Sequence, residues 1–385
     1  MIAKKYLKLL SINLIILVLL FIVIDPFFVE KIELHDTRHV LLREPYPNQD
    51  ISITPDNLYM TFTENLIQKA YDYKTDKDGF IIGDSKIVSK KQNSDSAIII
   101  FYGGSTTECL YVDEEKRFPF LVGEKLLSEP YGKKIQTLNA GSSGNNSLHS
   151  TINFLANGIP RQPNIVVLMH NINDLNALVN TGTYWYTPPR YSIIQEQKAV
   201  DKSTLGYRTK AFFRSVKDLL VPNLYSKTKK VLKGMGNKKP QEFEDEWKDY
   251  RMKTSTTYEE KEKLFRSSIL GFIRLAKSHG IEVVLMTQFN RLQPNDTFIR
   301  SMYEANKNAV IGFDMFCEYY KKFNNAIRDI AANENLLLID LDKKIPSNRN
   351  YIYDSVHLNT KGSEMAADTI AKELKVKFSN LLTNQ

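Results

Sequence analysis

The 385 residues carry a formal charge of +8, with 42% hydrophobic and 25% charged side chains and two cysteines. That is enough chain for a sizeable core in one large or two smaller domains, too apolar for wholesale disorder, and too poor in cysteine for a disulfide-stapled scaffold. The positive excess is mild, begins with Lys4, Lys5 and Lys8, and forms no arginine-rich stripe interleaved with aromatics, so nucleic acid is not an expected partner.

The first element in the chain is an apolar run. Leu9 to Ile24 is broken only by Ser11 and Asn13, and Tyr6 and Leu7 extend it across Lys8. A bilayer crossing takes roughly 20 apolar residues, and flanking lysines can snorkel to the interface. The run ends at Asp25-Pro26 with no small-x-small cleavage site behind it. Residues 1–25 therefore read as an uncleaved transmembrane signal anchor, with a cleaved signal peptide as the competing reading and a buried core helix as a third. Lysines ahead of the helix place the N-terminus inside, giving a single pass through the cytoplasmic membrane with everything after residue 25 extracytoplasmic.

Residues 26–94, with turn signals at Pro45, Pro47 and Pro55, read as a stalk and lead-in that packs on the main domain. Five short apolar runs follow: Ala97–Tyr102, Ile135–Asn139, Ile165–Met169, Ile281–Thr287 and Leu336–Leu341. They are largely continuous instead of alternating, as in parallel strands covered on both faces. The clearest helix is Tyr258–Ser278, where Thr256 and Glu259 form a candidate capping box and Gly280 marks the stop. Strand–helix alternation predicts an α/β sandwich over residues 95–385, with ligands gathering beyond the carboxyl ends of the strands. One long interruption, at about 176–257, holds a Tyr184, Trp185, Tyr186, Pro188, Pro189 cluster and a lysine-rich stretch from Lys210 to Lys239. A connection of that length is expected to be a lid or insertion, and its lysines a solvated face or a contact for anionic lipid or glycan.

Chemically suggestive residues follow these runs. The first ends Gly103-Gly104-Ser105-Thr106-Thr107, a sharp turn that could expose a serine at the sheet edge or simply cap a helix. The second ends Asn139-Ala140-Gly141-Ser142-Ser143-Gly144, whose small residues leave backbone N–H groups accessible to an anion. The third ends His170-Asn171-Ile172-Asn173-Asp174, where an asparagine could donate to developing negative charge or form a turn. Behind the last run stand Asp354 and His357, close enough for the carboxylate to fix the ring's tautomer and leave the other nitrogen as a base. There is no G-x-G-x-x-G, no Walker-type loop, and no His/Asp/Glu set with metal-ligand spacing, so no cofactor and no metal are expected.

In combination, Gly103-Gly104-Ser105, Gly141, Asn173 before Asp174, and Asp354-x-x-His357 resemble the four-block signature of the SGNH/GDSL hydrolases. The Gly-Gly-Ser-Thr-Thr form is similar to that of membrane-bound members associated with bacterial surface polysaccharides. The resemblance implies a three-layer α/β/α sandwich around a five-stranded parallel, flavodoxin-like sheet. It implies Ser105 as nucleophile, His357 as base and Asp354 as its orienting acid, with an oxyanion hole made of the Ser105 N–H, the Gly141 N–H and the Asn173 side chain. Two positions depart from the pattern: Gly104 stands in place of the block I aspartate, and Asn171 in place of the block III glycine.

A literal Gly83-Asp84-Ser85 lies upstream, but it leads into a lysine- and serine-rich segment, which favours Ser105 over Ser85. His149 and His170 read as lining or packing residues. Resemblance and topology together imply a serine ester hydrolase removing O-acyl, above all O-acetyl, groups from an envelope glycan. The alternatives are an O-acyltransferase served by a membrane acyltransferase partner, a lipase using the aromatic insertion as a groove, and a non-catalytic component of an envelope assembly.

Overall fold

The computed structural model describes residues 2–24, 37–83, 96–127, 134–197, 209–210, 247–251 and 256–382. The packing separates two units, Met1–His39 with Ile194–Glu244, and Val40–Ile193 with Asp245–Gln385. In the first unit the apolar run forms one 23-residue helix, α1 (Ile2–Ile24). The side chains described on it, Tyr6 and Leu9–Leu20, are exposed. Among the described residues, no helix is long and apolar enough to cross a membrane. Of the lysine-rich stretch only Lys210 is described, and Asp84 and Ser85 also lie outside the described residues.

The second unit holds an eight-stranded mixed sheet. Its strands are β1 (Asp50–Ile53), β2 (Tyr71–Thr75), β3 (Ile81–Ile82), β4 (Ser96–Gly103), β5 (Lys134–Asn139), β6 (Ile165–Met169), β7 (Glu282–Met286) and β8 (Leu337–Ile339). The spatial order is β8-β7-β6-β4-β5-β3-β2-β1. The five strands from β4 to β8 pair in parallel and correspond to the five apolar runs. Among themselves they run second-first-third-fourth-fifth, the flavodoxin-like order, whose switch point lies between the first and third strands.

The sheet is larger than the five strands expected. β3 pairs antiparallel with β5, and β2 and β1 extend that edge, so part of the lead-in continues the sheet. These strands escape a search for apolar runs because β1 is almost wholly exposed, β3 has two residues, and β2 alternates buried with open positions. β8 is shorter than expected because Asp340 turns aside, its carboxylate accepting from Thr287 Oγ1 at 2.8 Å and from Arg328.

Continuous apolarity in the parallel strands reflects a layer on each face. Ile98, Ile100 and Tyr102 of β4 face one core with Val166, Leu168, Val283 and Leu285. Ala97, Ile99 and Phe101 face the other with Ile165, Val167, Val284 and Met286. The first core is covered by α3 (Ser147–Asn153), α4 (Ile172–Thr181), α5 (Tyr258–Ser278) and α7 (Phe313–Asn333); α6 (Thr297–Glu304) precedes α7. The second is covered by α2 (Phe118–Leu127) and α8 (Thr360–Lys377). Helix α5 has the expected span, but its capping box is one residue later: Thr257 Oγ1 accepts from the Glu260 N–H at 3.2 Å, and the Glu260 carboxylate from the Thr257 N–H at 2.8 Å. The Thr-Thr-Tyr-Glu-Glu sequence satisfies the box in either register, and only the backbone decides. The chain then leaves the helix through Gly280 at φ +69°.

Candidate active site

β4 delivers Ser105 to the switch point. Gly103 ends the strand where a Cβ would stand 2.8 Å from the Met169 carbonyl oxygen and overlap Thr107. Gly104, extended at φ −90° and ψ −152°, caps a one-turn helix, Ser105–Glu108, which Cys109 closes at φ 55°. Ser105 thus opens a helical turn, where the first N–H groups have no intrahelical acceptor. Both cysteines, Cys109 and Cys317, are buried and unpaired with one another.

The loop ahead of α8 carries Asp354 and His357. Asp354 Oδ1 accepts from the Val356 N–H at 2.9 Å and the His357 N–H at 2.8 Å, curling the loop back on itself. Its Oδ2 stands 2.6 Å from His357 Nδ1, and His357 Nε2 stands 2.8 Å from Ser105 Oγ. The three side chains therefore form one continuous hydrogen-bonded line, with Nδ1–H donating to Asp354 and Nε2 accepting from the serine hydroxyl. Burial alone would lower the His357 pKa, but the charge and hydrogen bond of Asp354 raise it above the ordinary value. Burial would raise that of Asp354, but the His357 ring and the two backbone N–H groups hold it below the usual carboxylate range.

The loop is stapled from outside. Arg291, buried against solvent, donates its backbone N–H to the Ser355 carbonyl at 2.8 Å, and its guanidinium donates to the Ile352 carbonyl. The same guanidinium pairs with Glu64 at 2.7 Å and Asp296 at 2.9 Å. Tyr59 donates to Asp354 Oδ2 at 3.4 Å. Neither Arg291 nor Tyr59 carries a local sequence signal, because each acts across a long loop.

The anion-binding side needs one correction. Gly141 is buried with its N–H already donated to Asn139 Oδ1 at 2.8 Å, and a Cβ there would overlap the Glu108 backbone nitrogen. Gly141 is thus a close-packing glycine that lets the loop lie against the Ser105–Glu108 turn. The glycine that lines a cavity together with Asn173 is Gly144, at φ +79°. The Asn173 side chain sits over Gly104, where a Cβ would overlap its amide nitrogen, and donates to the Asn145 carbonyl at 2.8 Å. Asn171, at the family's glycine position, is buried and donates to the Tyr320 carbonyl at 2.9 Å and Asn324 Oδ1 at 3.0 Å, tying the start of α4 to α7.

Two buried acids flank this arrangement. Glu108 accepts from the Tyr73 hydroxyl at 3.0 Å and from the Ser143 hydroxyl, and burial pushes its pKa up. Asp174 accepts from the Ser147 N–H at 3.1 Å, the Ser147 hydroxyl and the Tyr184 hydroxyl at 2.7 Å; burial pushes it up to about 6. His149 and His170 have structural partners. His149 closes the N-terminal cap of α3 through the Asn146 N–H, and His170 meets the Ser150 hydroxyl at 2.8 Å. Burial drives both down to about 3, so they are neutral packing groups, as expected.

No family model matches the sequence, and no curated protein matches it. Among solved structures, the chain is similar to an acetyl xylan esterase, AlAXEase, at 18% identity and a TM-score of 0.39 over 71% of this chain and 98% of that one. It is similar to a lipase/acylhydrolase from Enterococcus faecalis at 14% identity and 0.41, over 73% and 96%. It is also similar to a catalytic mutant of Axe2, an acetylxylan esterase from Geobacillus stearothermophilus, at 15% identity and 0.40, over 77% and 100%.

Proposed function

We propose that this chain is a serine ester hydrolase of SGNH type. The observation that carries the reading is the unbroken line from Ser105 Oγ through the His357 ring to Asp354, at 2.8 and 2.6 Å. In this mechanism His357 Nε2 takes the serine proton as Oγ attacks the ester carbonyl, and Asp354 stabilises the imidazolium that forms. The oxyanion is met by the Ser105 N–H and the Asn173 amide, with the Gly144 N–H replacing that of Gly141 as the third donor. The protonated His357 hands its proton to the leaving alcohol, and an acyl-enzyme remains. Water, deprotonated by the same nitrogen, then releases the acid.

The substrate proposed is an O-acyl, above all O-acetyl, ester on an envelope glycan. Its support is the N-terminal apolar run: α1 is 23 residues long, with a described stretch, Leu9–Leu20, that is exposed and almost wholly apolar. At 1.5 Å per residue such a helix is about 34 Å long. Anchored with its N-terminus inside, the enzyme would meet surface polysaccharide directly. Transfer of the acyl group to a sugar hydroxyl instead of water would use the same residues.

The test uses the full chain in detergent, wild type beside Ser105→Ala, on 4-nitrophenyl acetate and with a fluorophosphonate label. Hydrolysis and labelling that are present in the wild type and vanish together in the variant are the expected result. A folded wild type that neither hydrolyses nor labels overturns the proposal.

A further inference from the structure

Three asparagines of α4, Asn173, Asn176 and Asn180, line the same cavity, which has a volume of about 280 Å³. Their spacing of three and then four residues puts them on one helical face. Asparagine is a weak helix former, so three along one side of a ten-residue helix lower its intrinsic stability. Seven residues of rise carry the stripe about 10 Å from Asn173 at the reacting centre to Asn180. Asn180 donates one amide hydrogen to the Asn176 backbone carbonyl at 2.8 Å, which holds its side chain against the helix. Asn306, from the loop after α6, lines the cavity as well.

The aromatic wall is of a different kind. Tyr191 and Trp247 stack with centroids 5.0 Å apart and planes at 18°, and both rings line the cavity. Among the described residues, no carboxylate or lysine lines it. Among the described lining residues the one charged side chain is Arg251, whose guanidinium is turned to the Asn308 carbonyl at 2.8 Å; Arg43 and Arg190 stand over the Tyr191 ring, 5.4 and 5.8 Å from its centroid. Side-chain amides present a donor and an acceptor side by side, which matches a ring of hydroxyl groups. Flat aromatic faces match the C–H faces of the same ring. An acyl chain would leave the amides unsatisfied, and a cation would meet no carboxylate among the described lining residues. The volume is just under the roughly 300–1,000 Å³ of sites for drug-sized ligands, which suits a small ring.

We propose that this cavity is a saccharide subsite: it holds an uncharged sugar ring against Tyr191 and Trp247 and hydrogen-bonds its hydroxyls through Asn176, Asn180 and Asn306, with the ring's ester directed to Ser105. The inference deepens the esterase reading and rests on it only for the fate of the ester; ring recognition is separable.

The experiment uses the full chain in detergent. Ser105→Ala protein is titrated calorimetrically with methyl glucoside, N-acetylglucosamine and glucuronate, and the titration is repeated with Trp247→Ala and Asn180→Leu added. Saturable binding of an uncharged saccharide is expected, weakened about tenfold by either change, the loss of one stacking or hydrogen-bonding contact. In proteins that retain Ser105, kcat/KM on mono-O-acetylated methyl glucosides should fall further than on 4-nitrophenyl acetate, chiefly through KM. Equal losses on both esters, no saturable saccharide binding, or tighter binding of glucuronate than of the neutral sugars would overturn the proposal. A wild type inert to 4-nitrophenyl acetate whose Ser105→Ala form still binds sugar would sink the esterase reading and leave the subsite standing. Hydrolysis of 4-nitrophenyl acetate without sugar binding would do the reverse.

Discussion

The Ser143 hydroxyl donates to the carboxylate of Glu108, which lies one helical turn after Ser105. This bond fastens the loop carrying Gly144 to the turn carrying the nucleophile. Asn139 reinforces it by donating to the Thr107 carbonyl at 2.9 Å. Two parts of the proposed oxyanion site are thus held in register by a buried acid that takes no part in the proton transfers. Glu108→Ala should lower kcat by up to about 10²-fold, the cost of a misplacement near 1 Å, with little change in KM on a small ester. Glu108→Gln keeps an acceptor for Ser143 and should recover most of that rate. The Glu108 charge also raises the His357 pKa, so the glutamine variant should move the acid limb of the pH–rate profile to lower pH. An unmoved limb and an unimpaired alanine variant would remove Glu108 from the site.

The pH dependence follows from the sign of the His357 shift. The base works only when neutral, and its pKa is raised above the ordinary 6.5 by Asp354 after burial is overcome. Activity should therefore fall as pH drops through a midpoint above 6.5. Asp354→Asn removes the charge that raises it and loosens the tautomer; kcat should drop by about 10⁴ and the midpoint should move down. A profile of kcat/KM against pH for both proteins checks this, and an identical midpoint would contradict the assignment.

How far the sequence announces this molecule depends on the range of the interaction. The parallel strands are legible because Ile98–Tyr102 and Ile165–Met169 are apolar at every position, a pattern that only two covered faces explain. Ser105, Asp354 and His357 are legible because each follows a strand end or sits within one short loop. Gly141 and Gly144 are not separable in this way. Both lie in one run of small residues, and the choice between them is made by the Asn139 side chain, which claims the Gly141 N–H. Arg291 and Tyr59 are beyond reach for another reason: they meet the Asp354 loop from 61 and 295 residues away. Edge strands such as β1, exposed along most of their length, leave no periodic mark.

Asp174 gives a stability prediction with a definite pH window. Its folded pKa of about 6 lies above the ordinary 3.8. A carboxyl raised in this way contributes stability that is present below the unfolded value and lost as pH rises through the folded one. Between pH 4 and 7 the wild type should therefore lose stability relative to Asp174→Asn, read as the difference between their denaturant midpoints. Asp174→Ala should be destabilised by about 3 kcal/mol or more at all pH values, because the Ser147 and Tyr184 donors are left buried without an acceptor. A variant pair whose midpoints run parallel with pH would refute the shift.

The most local test concerns Gly104, the position where the family signature has aspartate. In this chain a Cβ at Gly104 would overlap the Asn173 amide nitrogen and stand 3.0 Å from the Asn145 carbonyl oxygen. The backbone there, at φ −90°, is open to any L residue, so conformational strain does not demand glycine. What demands it is the close seat of Asn173, the proposed oxyanion donor. Gly104→Ala should swing that amide aside while leaving the Ser105–His357 pair in reach of each other. Loss of one oxyanion donor costs about 10²–10³ in turnover, so Gly104→Ala should match Asn173→Ala in kcat. Combining the two should cost little more than either alone, because both remove the same donor. Melting temperatures near the wild type would show that the fold survives. If the losses multiply instead, Gly104 makes room for something other than Asn173.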